Sequence, residues 1–91
     1  MKYSIIIPTL NEEAYIEKTI YALKHLNYPK EDFEIIVVDN GSQDRTVERA
    51  NCAGANLVLY EEKRGTNMAR NKGIENSSGE ILVFVDADTE P

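Results

Sequence analysis

Apolar residues gather in four short runs, at 3–7, 34–38, 56–60 and 81–85, each about one strand long. Three are rich in Ile or Val, and their lack of strict alternation predicts a sheet covered on both faces. Between the runs the period lengthens to that of a helix. From Asn11, a candidate N-cap, apolar residues recur at Ile16, Ile20, Leu23 and Leu26, one stripe of an amphipathic helix that stops before Tyr28-Pro29. A second, weakly apolar helix is expected from Ser42 or Gln43 to near Gly54, with Val47 and Ala50 turned inward. A third is expected over 66–77, presenting Ala69, Gly73 and Ile74 on one side, with Gly79 as its stop signal. Gly73 costs about 1 kcal/mol relative to Ala inside a helix, so a close approach of helix to sheet is the expected reason for it. Strand and helix alternate, which implies parallel pairing through right-handed crossovers. The fold class is therefore α/β: an open, mainly parallel, doubly wound sheet with helices on both faces.

That architecture says where chemistry belongs, because ligands of open parallel sheets bind beyond the carboxyl ends of the strands. Four polar segments fall there: Pro8-Thr9-Leu10-Asn11-Glu12, Asp39-Asn40-Gly41-Ser42, residues 61–65, and Asp86-Ala87-Asp88. In the last of these a strand's alternation points Asp86 and Asp88 the same way. Two carboxylates that close repel unless a cation lies between them, and hard divalent ions such as Mg2+ or Mn2+ prefer carboxylate and phosphate oxygens. The bland alternative is a pair of solvated acids ending a strand.

Composition narrows the partner. At 91 residues the chain is one domain at most, and 42% hydrophobic with 29% charged residues is ordinary for a globular protein. Sixteen acidic against ten basic residues give a net charge of -6, and no basic face is visible, which disfavours nucleic acid and points to a small molecule. No apolar run approaches the roughly 18 residues of a membrane span, and the start of the chain leaves no room for a signal peptide, so a reducing cytoplasmic setting is expected. The lone Cys52 has neither a second Cys nor a His nearby and is expected as a small helix residue at the core edge.

Each candidate residue carries two readings. The first loop lacks both G-x-G-x-x-G and G-x-x-x-x-G-K-[ST], which removes most weight from nicotinamide and P-loop functions. Pro8 fixes the exit of the strand, and Thr9 and Glu12 offer a hydroxyl and a carboxylate to a sugar ring; Glu12 is equally suited to the dipole of a first helical turn. Asp39 is placed to accept from a nucleobase N–H or ribose hydroxyls, or simply to form the turn after its strand. Arg64, Arg70 and Lys72 fall within nine residues of an otherwise acidic chain; Arg70 and Lys72 do not share a helix face, and Arg70 is the one expected at the ligand.

Read in order, Ser4-Ile-Ile-Ile-Pro8-Thr9-Leu-Asn11-Glu12, Glu34-Ile-Ile-Val-Val-Asp39-Asn40-Gly41-Ser42-Gln-Asp44-Arg-Thr46, Gly65-Thr-Asn-Met-Ala69-Arg70-Asn71-Lys-Gly73 and Gly79-Glu-Ile-Leu-Val-Phe-Val-Asp86-Ala-Asp88 resemble the family 2 glycosyltransferases of GT-A fold. The resemblance implies transfer of a sugar from a nucleotide diphosphate donor, with inversion at the anomeric carbon. It implies that Pro8, Thr9 and Glu12 line the nucleoside pocket and that Asp39 hydrogen-bonds the base, with a UDP- or GDP-linked donor. It places Arg70 near base or diphosphate, Asp86 at the ribose or donor sugar, and Asp88 with Asp86 on a Mn2+ or Mg2+ ion bridging the diphosphate. It also implies the strand order 3-2-1-4.

Two departures matter. Asn40 stands where many members carry a second Asp. Family domains continue for about as many residues again, carrying the acceptor site and the carboxylate base. No residue here fills the base's role, so residues 1–91 are expected to be a single nucleotide-diphosphosugar-binding part, inactive in transfer alone. A noncatalytic nucleotide-binding or interaction module is the alternative. A phospho-acceptor or phosphatase domain fits worse, since it needs an acid directly after the first strand, where Pro8-Thr9 stand. An unpaired apolar edge at 81–85 further predicts self-association.

Overall fold

The computed structural model describes residues 2–87. Four parallel strands form one sheet: β1 (Tyr3–Thr9), β2 (Phe33–Asp39), β3 (Leu57–Tyr60) and β4 (Ile81–Phe84), in the order β3-β2-β1-β4 expected of the GT-A class. The register sets Ile5 beside Ile35 and Val83, and Asp39 between Thr9 and Tyr60. The ends of β1, β2 and β3 are thereby level, while β4 stops at Phe84, opposite Ile6.

Helices α1 (Ile16–Lys24) and α2 (Thr46–Ala53) cover one face and α3 (Thr66–Glu75) the other. Odd positions of the central strands feed the first layer, where Ile5, Ile7, Ile35 and Val37 meet Ile16, Ile20 and Ala50. Even positions feed the second, where Ile6, Ile36 and Val38 meet Ala69. Ile6, Ile7, Ile35, Ile36, Val37 and Val38 are all fully buried, and each such side chain contributes about 1.5–3 kcal/mol over leaving it in water. These continuous apolar runs are thus strands buried on both sides. The edge strand β3 is not: Leu57 and Tyr60 are exposed, against the expectation of a covered strand.

Gly73 does provide the close approach. A Cβ built there meets Ile6 Cγ2 at 2.5 Å, so only a hydrogen lets α3 settle on the sheet.

The helix boundaries and faces need correction. Asn11 does not cap α1, which begins at Ile16 and ends before Leu26; Asn11 instead adopts φ 54 inside the loop, and Leu26 is exposed. Helix α2 begins at Thr46, because 42–45 are spent in a turn, and the inward positions are Thr46, Ala50 and Ala53 at helical spacing. Val47 flanks that stripe and is exposed, as is Ile74 on α3 and Cys52 on α2. No helix among the described residues is long and apolar enough to cross a membrane.

Candidate functional site

The loops after the four strands meet in one cleft of ≈ 390 Å³. Pro8, Thr9, Leu10 and Glu12 line it from the first loop and Asn40 from the second. Gly65 and Thr66 come from the third, and Asp86 and Ala87 from the fourth.

Pro8 lies within β1, opposite Val38. A proline inside a central strand is tolerated only where no ladder donor is needed. Carbonyls alternate sides along a strand: that of Ile6 accepts from Val85 N on the β4 side (3.0 Å), and that of Thr9 accepts from Asn40 N on the β2 side (3.0 Å). The missing N–H of Pro8 therefore faces the β4 side, where pairing has already ended at Phe84. Pro8 itself lines the cleft there.

The first two loops are latched together by hydrogen bonds between distant residues. Asn11 N donates to Ser42 Oγ (2.8 Å), and Gln43 N donates to Asn11 Oδ1 (2.9 Å). Glu12 N donates to Thr46 Oγ1 (2.9 Å), and Glu13 N to Asp44 Oδ2 (3.3 Å). The Thr46 hydroxyl in turn donates to Asp44, whose carboxyl also receives Thr46 N (3.0 Å). That hydroxyl hydrogen bond, joined by the main-chain N–H groups and only partly opposed by burial, holds Asp44 below the ordinary carboxylate pKa.

Asp39 stands one step behind the cleft, buried at the end of β2. Its Oδ2 accepts from Gly41 N (3.1 Å) and Ser42 N (2.8 Å), and its Oδ1 accepts from the Ser42 hydroxyl. The turn-forming reading of Asp39 is thus realised. Asn40, also buried, sends Nδ2 to the carbonyls of Glu61 and Lys63 (both 2.8 Å) and receives Gly65 N on Oδ1 (3.2 Å).

Four of the expected residues, Pro8, Thr9, Glu12 and Asp86, line the cleft together. Arg70 does not reach its lining: the guanidinium lies over the Phe84 ring, 5.3 Å from Cζ to the centroid, and its Nε is buried with no hydrogen-bond partner among the described residues. Asp88 lies outside the described residues. Among the described residues no three His, Cys, Asp or Glu side chains gather as a metal-binding cluster. The cleft's ionisable lining among them is carboxylate only, Glu12 and Asp86, and hard oxygen donors of this kind suit Mg2+ or Mn2+.

One contributor escaped the motif reading. Thr19 of α1, fully buried, donates to the carbonyl of Ala87 (2.7 Å) and so fixes the turn that begins with Asp86. Its position on the apolar stripe Ile16, Ile20, Leu23 was the available signal. Gly65, with φ 125, brings the backbone to the cleft at the start of α3.

The chain resembles known proteins over nearly its whole length. Glycosyltransferase AglE of Haloferax volcanii is 47% identical over 93 residues, which cover 97% of this chain and 31% of that protein. A Pyrobaculum calidifontis mannosyltransferase, PcManGT, solved with GDP-Man and Mn2+, superposes with TM-score 0.90 at 31% identity, covering 96% of this chain and 27% of the other. A Staphylococcus aureus TarS fragment in complex with UDP superposes with TM-score 0.84 at 38% identity, covering 97% and 28%. The chain thus spans about a third or less of the length of these relatives. The glycosyl transferase family 2 model matches residues 4–91, and the chain belongs to that family.

Proposed function

We propose that this chain is the donor-binding part of an inverting glycosyltransferase that takes a UDP- or GDP-linked sugar together with Mn2+ or Mg2+. The observation that carries this reading is the meeting of all four strand-end loops in one cleft whose described ionisable lining is carboxylate. An anionic diphosphate enters such a place only with a cation. The complexes of PcManGT with GDP-Man and Mn2+ and of TarS with UDP support the same assignment.

Pro8, Thr9 and Glu12 are assigned to the nucleoside. Asp39 accepts from Gly41 N, Ser42 N, the Ser42 hydroxyl and, at 3.5 Å, the Thr9 hydroxyl, and it is assigned to a base N–H that would take the place of this long Thr9 contact. Arg70, with its unpartnered Nε, is assigned to the base or diphosphate side, and Asp86 to the ribose or donor sugar. Asp86 and Asp88 would hold the metal, which neutralises charge growing on the leaving diphosphate as the glycosidic bond breaks. The acceptor site and the carboxylate base are assigned to parts of the protein outside these 91 residues, so that this polypeptide alone binds donor without transferring it. A reducing, cytoplasmic setting is part of the same proposal. Pairing of copies along the outer flank of β4 is part of the same reading.

Titration of UDP- and GDP-sugars, with and without Mn2+, tests the assignment. Expected is metal-dependent binding that Asp88→Ala weakens by at least the order of 10–100-fold that even outer partners of a metal are worth. Equal binding without metal, or an unaffected variant, would overturn it. Measured sugar transfer by residues 1–91 alone would overturn the placing of the base.

A further inference from the structure

Asn40 is bonded through its main-chain N–H and through both polar atoms of its side chain. Its main-chain N–H joins β1 at Thr9 O, both donors of its amide engage the carbonyls of Glu61 and Lys63, and its amide oxygen takes the N–H of Gly65. It is 6% exposed and itself lines the cleft. The residues it holds lead straight into Gly65 and Thr66, the cleft's third wall. The 61–65 segment has little apolar anchorage, since Glu62, Lys63, Arg64 and Gly65 are all exposed. A loop without buried side chains keeps one shape only through its hydrogen bonds.

The pattern demands an amide. Two carbonyl oxygens call for two donors, and the N–H of Gly65 calls for an acceptor on the same side chain. A carboxylate in its place has no donor to give and sets negative oxygens against two carbonyls. A lone alanine leaves the same three backbone groups without their partner.

We propose that Asn40 is the positioning residue of the donor cleft, fixing the 61–65 loop and the start of α3 so that affinity for a nucleoside diphosphate depends on its amide. This deepens the donor-site reading and rests on it. Asn40 acts through the loop and has no part in bond breaking.

The test uses the full-length protein. Asn40→Ala and Asn40→Asp are expected to raise the donor KM about tenfold, the effect of one to two lost net hydrogen bonds, with Asn40→Asp the worse. The KM for acceptor and the kcat at saturating donor stay near wild type. A residue needed only for folding would lower the active fraction, and so kcat, leaving the donor KM in place; that result overturns the proposal. Backbone amide exchange supplies a second arm that needs no ligand. In the wild-type protein the Gly65 amide is expected to exchange at least tenfold more slowly than in Asn40→Ala. Should the variants fail to fold, a wild-type Gly65 amide that exchanges as fast as that of exposed Arg64 overturns the clamp. Failure of the wild-type protein to take up either nucleotide sugar would count against the donor-site reading, while exchange at Gly65 would still decide the clamp.

Discussion

Thr19 shows how one hydroxyl couples a helix to the site. It lies on the buried face of α1, and its hydrogen bond to the carbonyl of Ala87 crosses 68 positions of the chain. Valine keeps its shape and removes the donor, leaving that carbonyl without this bond. Thr19→Val is therefore expected to cost about 1–3 kcal/mol of stability and to raise the Mn2+ concentration needed for donor binding. Urea unfolding and metal titration of the variant check both; an unchanged metal requirement would show that the Ala87 bond does not position the acidic turn. The helical spacing already put position 19 inside, yet nothing local names its partner. Glu34 is a similar case: it sits in an apolar run, but its carboxylate is buried, accepting from Ser4 Oγ (2.6 Å) and Ser78 N (2.7 Å). Asp39 was legible as both turn former and ligand candidate, and the turn bonds are the part that the fold displays.

Between elements, the latch joining the approaches to α1 and α2 explains why their starts were misplaced. Asn11, Ser42 and Asp44 are all residues that cap helices, so local chemistry marks several possible starts. Here they bond across the two loops, with Asp44 also accepting from Thr46 at the start of α2, and α1 and α2 begin only beyond Asn11 and Asp44. Periodicity likewise placed Ala50 of α2 inward but chose Val47 in place of Thr46, whose hydroxyl is buried and serves Glu12 and Asp44. The latch also has a titration signature. The folded pKa of Asp44 is depressed, so its contribution is fully present above the unfolded carboxylate value of about 3.9 and is lost as pH falls through the lower folded value. Asp44→Asn is expected to be less stable than wild type near pH 7, with the gap closing below about pH 4. Urea midpoints compared at about pH 7 and pH 3 decide it. An undiminished gap in acid would mean that the carboxylate's charge has no share in the latch.

At the scale of the whole molecule, the parallel layering and the convergence of the loops were readable from the pattern, because buried parallel strands alternating with helices leave few topologies open, whereas the sheet order came only with the family resemblance. Exposure at the edges was less so. Strand β4 pairs with β1 on one flank only among the described residues, and Ile81 (45%), Val83 (37%) and Phe84 (42%) stay exposed. Beside it, Tyr3, Leu23, Leu26, Tyr28, Phe33 and Val83 enclose an apolar recess of ≈ 160 Å³. An apolar edge with free backbone groups invites a second strand. Residues 1–91 are accordingly expected to self-associate, and Val83→Lys to shift them toward monomer. Light scattering across a concentration series measures this, and a monomer that persists at high concentration removes the pairing.

The order of the sheet bears on biogenesis. Strand β1 is made before the other three strands yet occupies the middle, and its second neighbour, residues 81–84, is the last of the four to be made. During synthesis a greasy ribbon thus waits with one rim unmatched while most of this segment is still being translated, the period in which nascent chains are most open to wrong partners and to capture by chaperones.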